Sequence, residues 1–357
     1  MRQILSTSRS LQTFRALLPS TLALGLLAGA AGAQYALEPP PGMAKFDRMI
    51  GEWDGEGIYY MAPETEGMPW TAQASVRKAL NGFAVIDDSL IQTAFGTMPW
   101  RTYYAWDQMG DKPVMFGLGE TIEDAHYELY WVDDDTLVGH SIGRRMGVPT
   151  STTWTTHYEA DSFHFTIDMT MGDQPSFRQL EGRYHRVDRE EPVQNSNVTS
   201  GMAPVAPEME RLGGMVGTHA MTGTARMAPE MPAMPMPGED TGEAIFGGGV
   251  MATRFVAPMP EGMPAYEGHG FYWWNSEREC YMQAWISNMG DASVAEARFV
   301  GNDLISVGTG HMQGVPFSNR MTLSFDEEGT PLRLSADTLM GNHESIRSLE
   351  LEYAISE

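Results

Sequence analysis

The stretch Ile50-Gly51-Glu52-Trp53-Asp54-Gly55-Glu56-Gly57 decides the fold, and a damaged copy of it, Val216-Gly217-Thr218-His219-Ala220-Met221-Thr222-Gly223, lies 166 residues further on. The first copy reads as the opening of the first strand of a small β-barrel. Strand-like runs follow it at short, even spacing: Glu52–Met61, Gln73–Leu80, Phe83–Gln92, Trp100–Asp107, Pro113–Gly119, His126–Val132, Thr136–Ile142, Ser151–Tyr158, Phe163–Thr170 and Ser176–Val187. Asn81-Gly82, Met109-Gly110-Asp111, Asp133-Asp134-Asp135 and Gly172-Asp173 supply turns between them. Phe163, Phe165 and Ile167 alternate with Ser162, His164, Thr166 and Asp168, the period of a strand with one wet face. Ahead of the strands, Pro41 to Arg48 reads as a short helix or turn whose Phe46, with Met49 and Ile50, caps one end. Short strands in series without intervening helices predict an antiparallel barrel or sandwich.

The second half replays the first. Met61-Ala62-Pro63-Glu64 returns as Met227-Ala228-Pro229-Glu230, and Tyr103-Tyr104-Ala105-Trp106-Asp107 as Phe271-Tyr272-Trp273-Trp274-Asn275. Gly147-Val148-Pro149 returns as Gly314-Val315-Pro316, and the closing run 176–184 as 345–353. The offset drifts by a few residues, as it does when insertions are confined to loops. Residues 34–187 are therefore the first barrel domain and 207–357 a second, divergent copy. Between them, 188–206 shifts to Glu, Pro, Asn and Ser without strand pattern and reads as a linker.

Arg2, Arg9 and Arg15 precede an apolar run from Ala16 to Leu27, and Ala31-Gly32-Ala33 follows, the pattern of a secretory signal peptide cut after Ala33. The expected location is the periplasm or the extracellular space. Removing those three arginines leaves 20 basic and 47 acidic residues, with Lys45, Lys78 and Lys112 the only lysines. Such a surface repels nucleic acid and anionic membranes, and no later stretch is apolar for long enough to be a membrane helix. Cys280 is the only cysteine, so no internal disulfide forms, and its strand context predicts a buried thiol.

The Gly51–Gly57 opening, the Asn81-Gly82-Phe83 turn, the run Tyr104-Ala105-Trp106-Asp107 and the closing Gly182-Arg183-Tyr184-His185-Arg186 together resemble the bacterial secreted DUF1579 family, which is lipocalin-like and akin to the ten-stranded nitrobindin barrels. The resemblance covers 41–187 directly and 205–355 through the repeat. It implies an all-β protein of two tandem antiparallel lipocalin-like barrels of about ten strands each. It also implies that Arg186 packs over Trp53 to close one barrel end, a pair whose counterparts are His219 and Ile355. Parity of the closing strand turns Leu180, Gly182, Tyr184 and Arg186 inward and His185 outward.

A barrel of this size has room for a small apolar ligand. Trp53, Tyr59, Tyr104, Trp106, Trp154, Tyr184, Arg186, Trp273 and Trp285 are the residues expected to line it. The expected function is thus a non-catalytic binding protein for a small hydrophobic molecule. The alternatives are a ligand-free interaction or structural module, in which the same residues fill the interior, and a haem or Cu(I) protein. Haem would need an inward histidine where His185 is expected to face out. Copper would use Met227, Met231, Met234 and Met236 in a Pro-rich loop, since thioethers suit Cu(I). His126, His140, His157 and His164 fall on neighbouring strands near Glu159 and Asp161, but no serine or cysteine sits in a nucleophile elbow.

Overall fold

The computed structural model describes residues 38–107, 111–120, 126–201, 204–226, 232–259, 261–290, 292–312, 315–341 and 344–354, all within one compact unit. The signal-peptide expectation for 1–33 lies outside the described residues.

The first barrel is built from β1 Gly51–Tyr59, β2 Met68–Ala79, β3 Ala84–Thr93, β4 Gly96–Asp107, β5 Lys112–Gly119, β6 His126–Trp131, β7 Thr136–Arg145, β8 Val148–Tyr158, β9 Ser162–Met171 and β10 Phe177–Val187. Each strand pairs antiparallel with the next, and β1 returns to β10 with Gly55 opposite Tyr184, closing the barrel. The second barrel comprises β11 Gly217–Ala225, β12 Met234–Pro235, β13 Gly238–Ile245, β14 Val250–Ala257, β15 Tyr266–Asn275, β16 Cys280–Ser287, β17 Ala292–Val300, β18 Asp303–Met312, β19 Val315–Phe325, β20 Pro331–Met340 and β21 Ile346–Tyr353. It closes between β11 and β21, where Met221 faces Tyr353, while the two-residue β12 adds to the far end of β11. Gly55–Tyr184 and Met221–Tyr353 are equivalent pairs, so the repeat extends to the register of closure.

One end of each barrel is plugged by a 3-10 helix, Pro41–Met49 and Pro207–Met215. Met43, Phe46 and Met49 recur every third residue, as do Met209, Leu212 and Met215. Three residues per turn brings such a set onto one face, which each helix buries in its barrel. Pro stands at the start of both, where its fixed φ suits the first turn and its missing N–H costs nothing.

The outer face of β3–β5 packs against the outer face of the equivalent β14–β16. Ile86, Tyr103, Phe116 and Leu118 meet Phe271, Trp273, Met282 and Ile286 in one buried core. Tyr103 and Phe271, equivalent by the repeat, touch across this boundary at 4.8 Å between ring centroids. The two halves thus meet as a symmetric dimer would, each offering the same patch. Strands in this region are buried on both faces; on β5 everything from Pro113 to Gly119 is buried. The turns after β2 and β13 feed the same core: Leu80 and Phe246 both adopt a left-handed backbone (φ 50° and 52°) and are both buried. Bulky residues reach that region only when the surroundings hold them there, and both halves do so. Cys280 is buried in the same core.

Among its described residues the segment 188–206 carries no strand, but it is fastened down. Arg189 pairs with Glu52 and Asp54 at 2.7 and 2.5 Å, the Val193 amide donates to Ser75 Oγ, and Asn195 Nδ2 donates to the Trp100 carbonyl. The Phe246 amide then donates to the Ser196 carbonyl, tying the segment to the second half.

Candidate functional site

The interior of the first barrel follows from strand alternation. Its plugged end is sealed by Trp53, which is 2% exposed and donates its indole N–H to the Met49 carbonyl at 2.8 Å. The Arg186 guanidinium lies 4.4 Å over the Trp53 ring and donates to the carbonyls of Ile50 and Arg48 at 2.5 and 2.9 Å. Gly51, at φ +138°, leaves room for that guanidinium: a Cβ there would strike Arg186 Nη1. The plug is also pinned from outside. Arg48 pairs with Asp135 at 2.9 Å, Lys45 with Asp134 at 3.4 Å and Lys78 with Asp47 at 2.8 Å. The acidic hairpin turn Asp133–Asp135 therefore anchors the plug.

Above the plug the walls are aromatic. Trp70 lies over Gly57 and Gly182, whose missing side chains make its berth, and its ring is 5.9 Å from both Phe165 and Tyr184. Trp154 stands 6.2 Å from Phe165 and 6.3 Å from Tyr104, and Phe163 stacks on Tyr184 at 4.8 Å. Trp154, Phe163, Ile167 and Tyr184 point inward yet each keeps part of its surface accessible. These half-buried residues share the interior of a closed ring of strands. The indole N–H groups of Trp70 and Trp154 are buried and find no partner among the described residues.

This space contains an acid. On β3, Val85, Asp87, Ser89 and Ile91 face inward, and Asp87 accepts a hydrogen bond from Ser89 Oγ at 2.5 Å. Loss of water pushes the Asp87 carboxyl up to about 7, a rise that the Ser89 bond and the Arg77 charge oppose and the neighbouring Asp88 charge reinforces. Its charge in turn adds to the burial that raises the phenols of Tyr104, Tyr158 and Tyr184. Asp88, on the opposite face, is held by Arg77 and Arg101.

The second barrel differs at the same level. His219 takes the place of Trp53, and its Nε2 is buried without a partner among the described residues. Tyr353 Oη donates to Asp240 at 3.1 Å, and burial raises that carboxyl to about 6. Trp285 donates to Tyr266 Oη at 3.2 Å, and Gln283 to Tyr272 Oη at 3.1 Å.

Of the residues expected to line an interior, Trp53, Tyr104, Trp154 and Tyr184 come together in the first barrel. Tyr59 lies toward the unplugged end. Arg186 and Trp106 belong to the plugged end, Trp106 lying against Gly42 and donating to Asp111. Trp285 packs against the second core. Trp273 is a correction: it faces out of its barrel into the core between the two halves, because β15 is buried on both faces and its alternation no longer separates inside from outside. Met227 and Met231 lie outside the described residues. Met234 pairs with Ala225 at β12, and Met236 packs on the second core. His185 is exposed. His126 stacks on Phe116, His157 and His164 sit 5.2 Å apart, and His140 is exposed, all four on outward positions. Among the described residues no three His, Cys, Asp or Glu side chains converge as metal ligands.

Asp87, Ser89 and Trp70 were missed by sequence reasoning. The usable signal was Asp87-Asp88 in the middle of Val85–Ile91, an acid pair inside an otherwise apolar strand. An external cleft of about 660 Å3 beside the plug, walled by Pro39–Pro41, Lys78 and Glu267, offers less chemistry, since Lys78 is already paired with Asp47.

No family model matches the chain, and no curated protein matches it. Among solved structures, protein Rv2717c of M. tuberculosis is 14% identical, with 42% of this chain and 100% of that one aligned at a TM-score of 0.33. An S-type phycobiliprotein lyase of Guillardia theta is 8% identical over 41% of this chain and 92% of its own, at 0.32. A DUF3598-family protein of unknown function from Nostoc punctiforme is 10% identical over 88% of this chain and all of its own, at 0.26.

Proposed function

We propose that this is an exported carrier, of the DUF1579 type that the Gly51–Gly57 motif resembles, which holds a small hydrophobic molecule in its first barrel without transforming it. The observation that supports this reading is the part-accessible inward surface of Trp154, Phe163 and Tyr184 within a closed ring of strands. An apolar ligand there gains the burial of its own surface against aromatic faces, at roughly 25 cal/mol per Å2 removed from water. The plugged end and the unplugged end give the cavity a floor and a mouth.

The test is a titration of the mature protein, residues 34–357, with N-phenyl-1-naphthylamine, following energy transfer from tryptophan. Saturable binding that Ala72→Phe abolishes supports the carrier reading, because Ala72 is buried among Trp70 and Phe165. Absence of binding, with no organic mass released on denaturing protein purified from an exporting host, sinks it. Export itself is tested by fractionating that host: a periplasmic or secreted product beginning at Gln34 is expected, and an intracellular full-length product contradicts it.

A further inference from the structure

We infer that the ligand of the first barrel carries a protonated amine on its apolar body and that Asp87 receives it. This rests on the carrier reading above and adds a charge to the ligand class.

Asp87 faces the interior beside Val76 and Thr102 of the adjoining strands. Ser89 is its hydrogen-bond partner, and among the described residues no lysine or arginine pairs with it. Arg77 and Arg101 are committed to Asp88 on the other face, and Arg186 to Trp53 and backbone carbonyls. The phenols of Tyr104, Tyr158 and Tyr184, which Asp87 influences, are neutral. A carboxylate kept from water, with no ion-pair partner among the described residues and only the charge of Arg77, itself paired with Asp88, in its favour, is unfavourable for the folded protein, so its presence needs another account.

The repeat removes the fold as that account. In the second barrel the register places Thr253 opposite Gly242 where the first has Asp87 opposite Val76. A neutral residue therefore serves the same strand at the same level. Tyr104, Tyr158 and Tyr184, which the Asp87 charge reaches, bring aromatic faces, whose quadrupole attracts cations, to the same interior. One acid set within aromatic walls is the recognition chemistry of an organic ammonium. A surface with 47 acidic residues raises the local concentration of such a cation.

The experiment compares 1-naphthylmethylamine with its neutral counterpart 1-naphthalenemethanol on the mature protein, by calorimetry at pH 8 and 150 mM salt. Wild type is expected to bind the amine at least tenfold more tightly. Asp87→Asn and Asp87→Thr, the latter copying the second barrel, are expected to erase that preference while holding the alcohol within about twofold. Equal affinities in wild type, or a preference that survives both substitutions, overturns the inference and leaves the carrier reading standing. Loss of both probes in both variants, with circular dichroism unchanged, also overturns it, since Asp87 would then shape the cavity rather than supply charge. If wild type binds neither these probes nor N-phenyl-1-naphthylamine, both readings fall.

Discussion

Arg186 and Trp53 together close the plugged end of the first barrel. The indole is anchored to the plug through Met49, and the guanidinium ties β10 to the two carbonyls that lead out of the plug. Trp53→Ala is expected to cost about 3–5 kcal/mol, as removal of a fully packed indole does, and Arg186→Ala about 1–2 kcal/mol, both read from urea denaturation. Hydrogen exchange should rise most at β1, β10 and the 41–49 plug; equal loss of protection in β11–β21 would contradict a local role. Asp87 supplies the second prediction. Its native value near 7 lies above its ordinary 3.8, so the native state holds the proton more tightly than the unfolded chain. That group's contribution to stability is present in full below about pH 3.8, declines as pH rises toward 7 and is gone above it. Asp87→Asn is thus expected to stabilise the ligand-free protein by on the order of 2 kcal/mol at pH 8, with the gain shrinking toward pH 4. A difference between variant and wild type that does not change over that window would show that Asp87 is not enclosed as described.

At the scale of elements, the halves solve one packing problem in two ways. In the first barrel Trp100, on β4, covers Gly117 and Gly119 of β5; in the second, Trp285 of β16 covers Gly268 and Gly270 of β15. By register Trp100 corresponds to Gly268, Thr102 to Gly270 and Gly117 to Trp285. The indole has crossed to the neighbouring strand while the volume stayed, which is how cores tolerate change. Trp100→Gly should cost about 3–5 kcal/mol, and Gly117→Trp alone should clash with the existing indole. The triple variant Trp100→Gly, Thr102→Gly, Gly117→Trp should recover at least half of the loss in chemical denaturation. Additive losses would mean that the two indoles do not occupy equivalent space. The 3-10 plugs show the same economy: apolar residues at every third position, a proline at the start and a seat in the barrel end define both.

The whole molecule is held as one unit by a face that each half presents to the other. Phe271 is 1% exposed and touches its own counterpart, Tyr103. Phe271→Ala is expected to lower stability by about 3–5 kcal/mol. Because the contact belongs to both halves, calorimetry should show a single transition moving down. Two resolved transitions, with only one displaced, would show that the halves unfold independently.

Much of this architecture was legible beforehand. All ten strands of the first barrel coincide with apolar runs between turn residues, and the pairing of Trp53 with Arg186 is the one the family resemblance implied. The alternation of Phe163, Phe165 and Ile167 correctly assigned the inner face of β9, because its outer face is wet and the period survives. On β5, β15 and β16 that signal vanished, since both faces are apolar, and Trp273 was accordingly assigned to the wrong side. Local pattern reports whether a side chain avoids water, not which of two dry surroundings it enters. The sequence by itself therefore determined the strands, the capping segment and the duplication, which show as local or repeated pattern, while closure into a barrel, which joins Trp53 to Arg186 across the whole half, came only with the family resemblance. Only the tertiary structure decided that the halves share a core and that Asp87 looks into the barrel interior while Asp88 looks out to Arg77 and Arg101. Those outcomes depend on how ten strands curve around one volume, and no stretch of chain contains that volume.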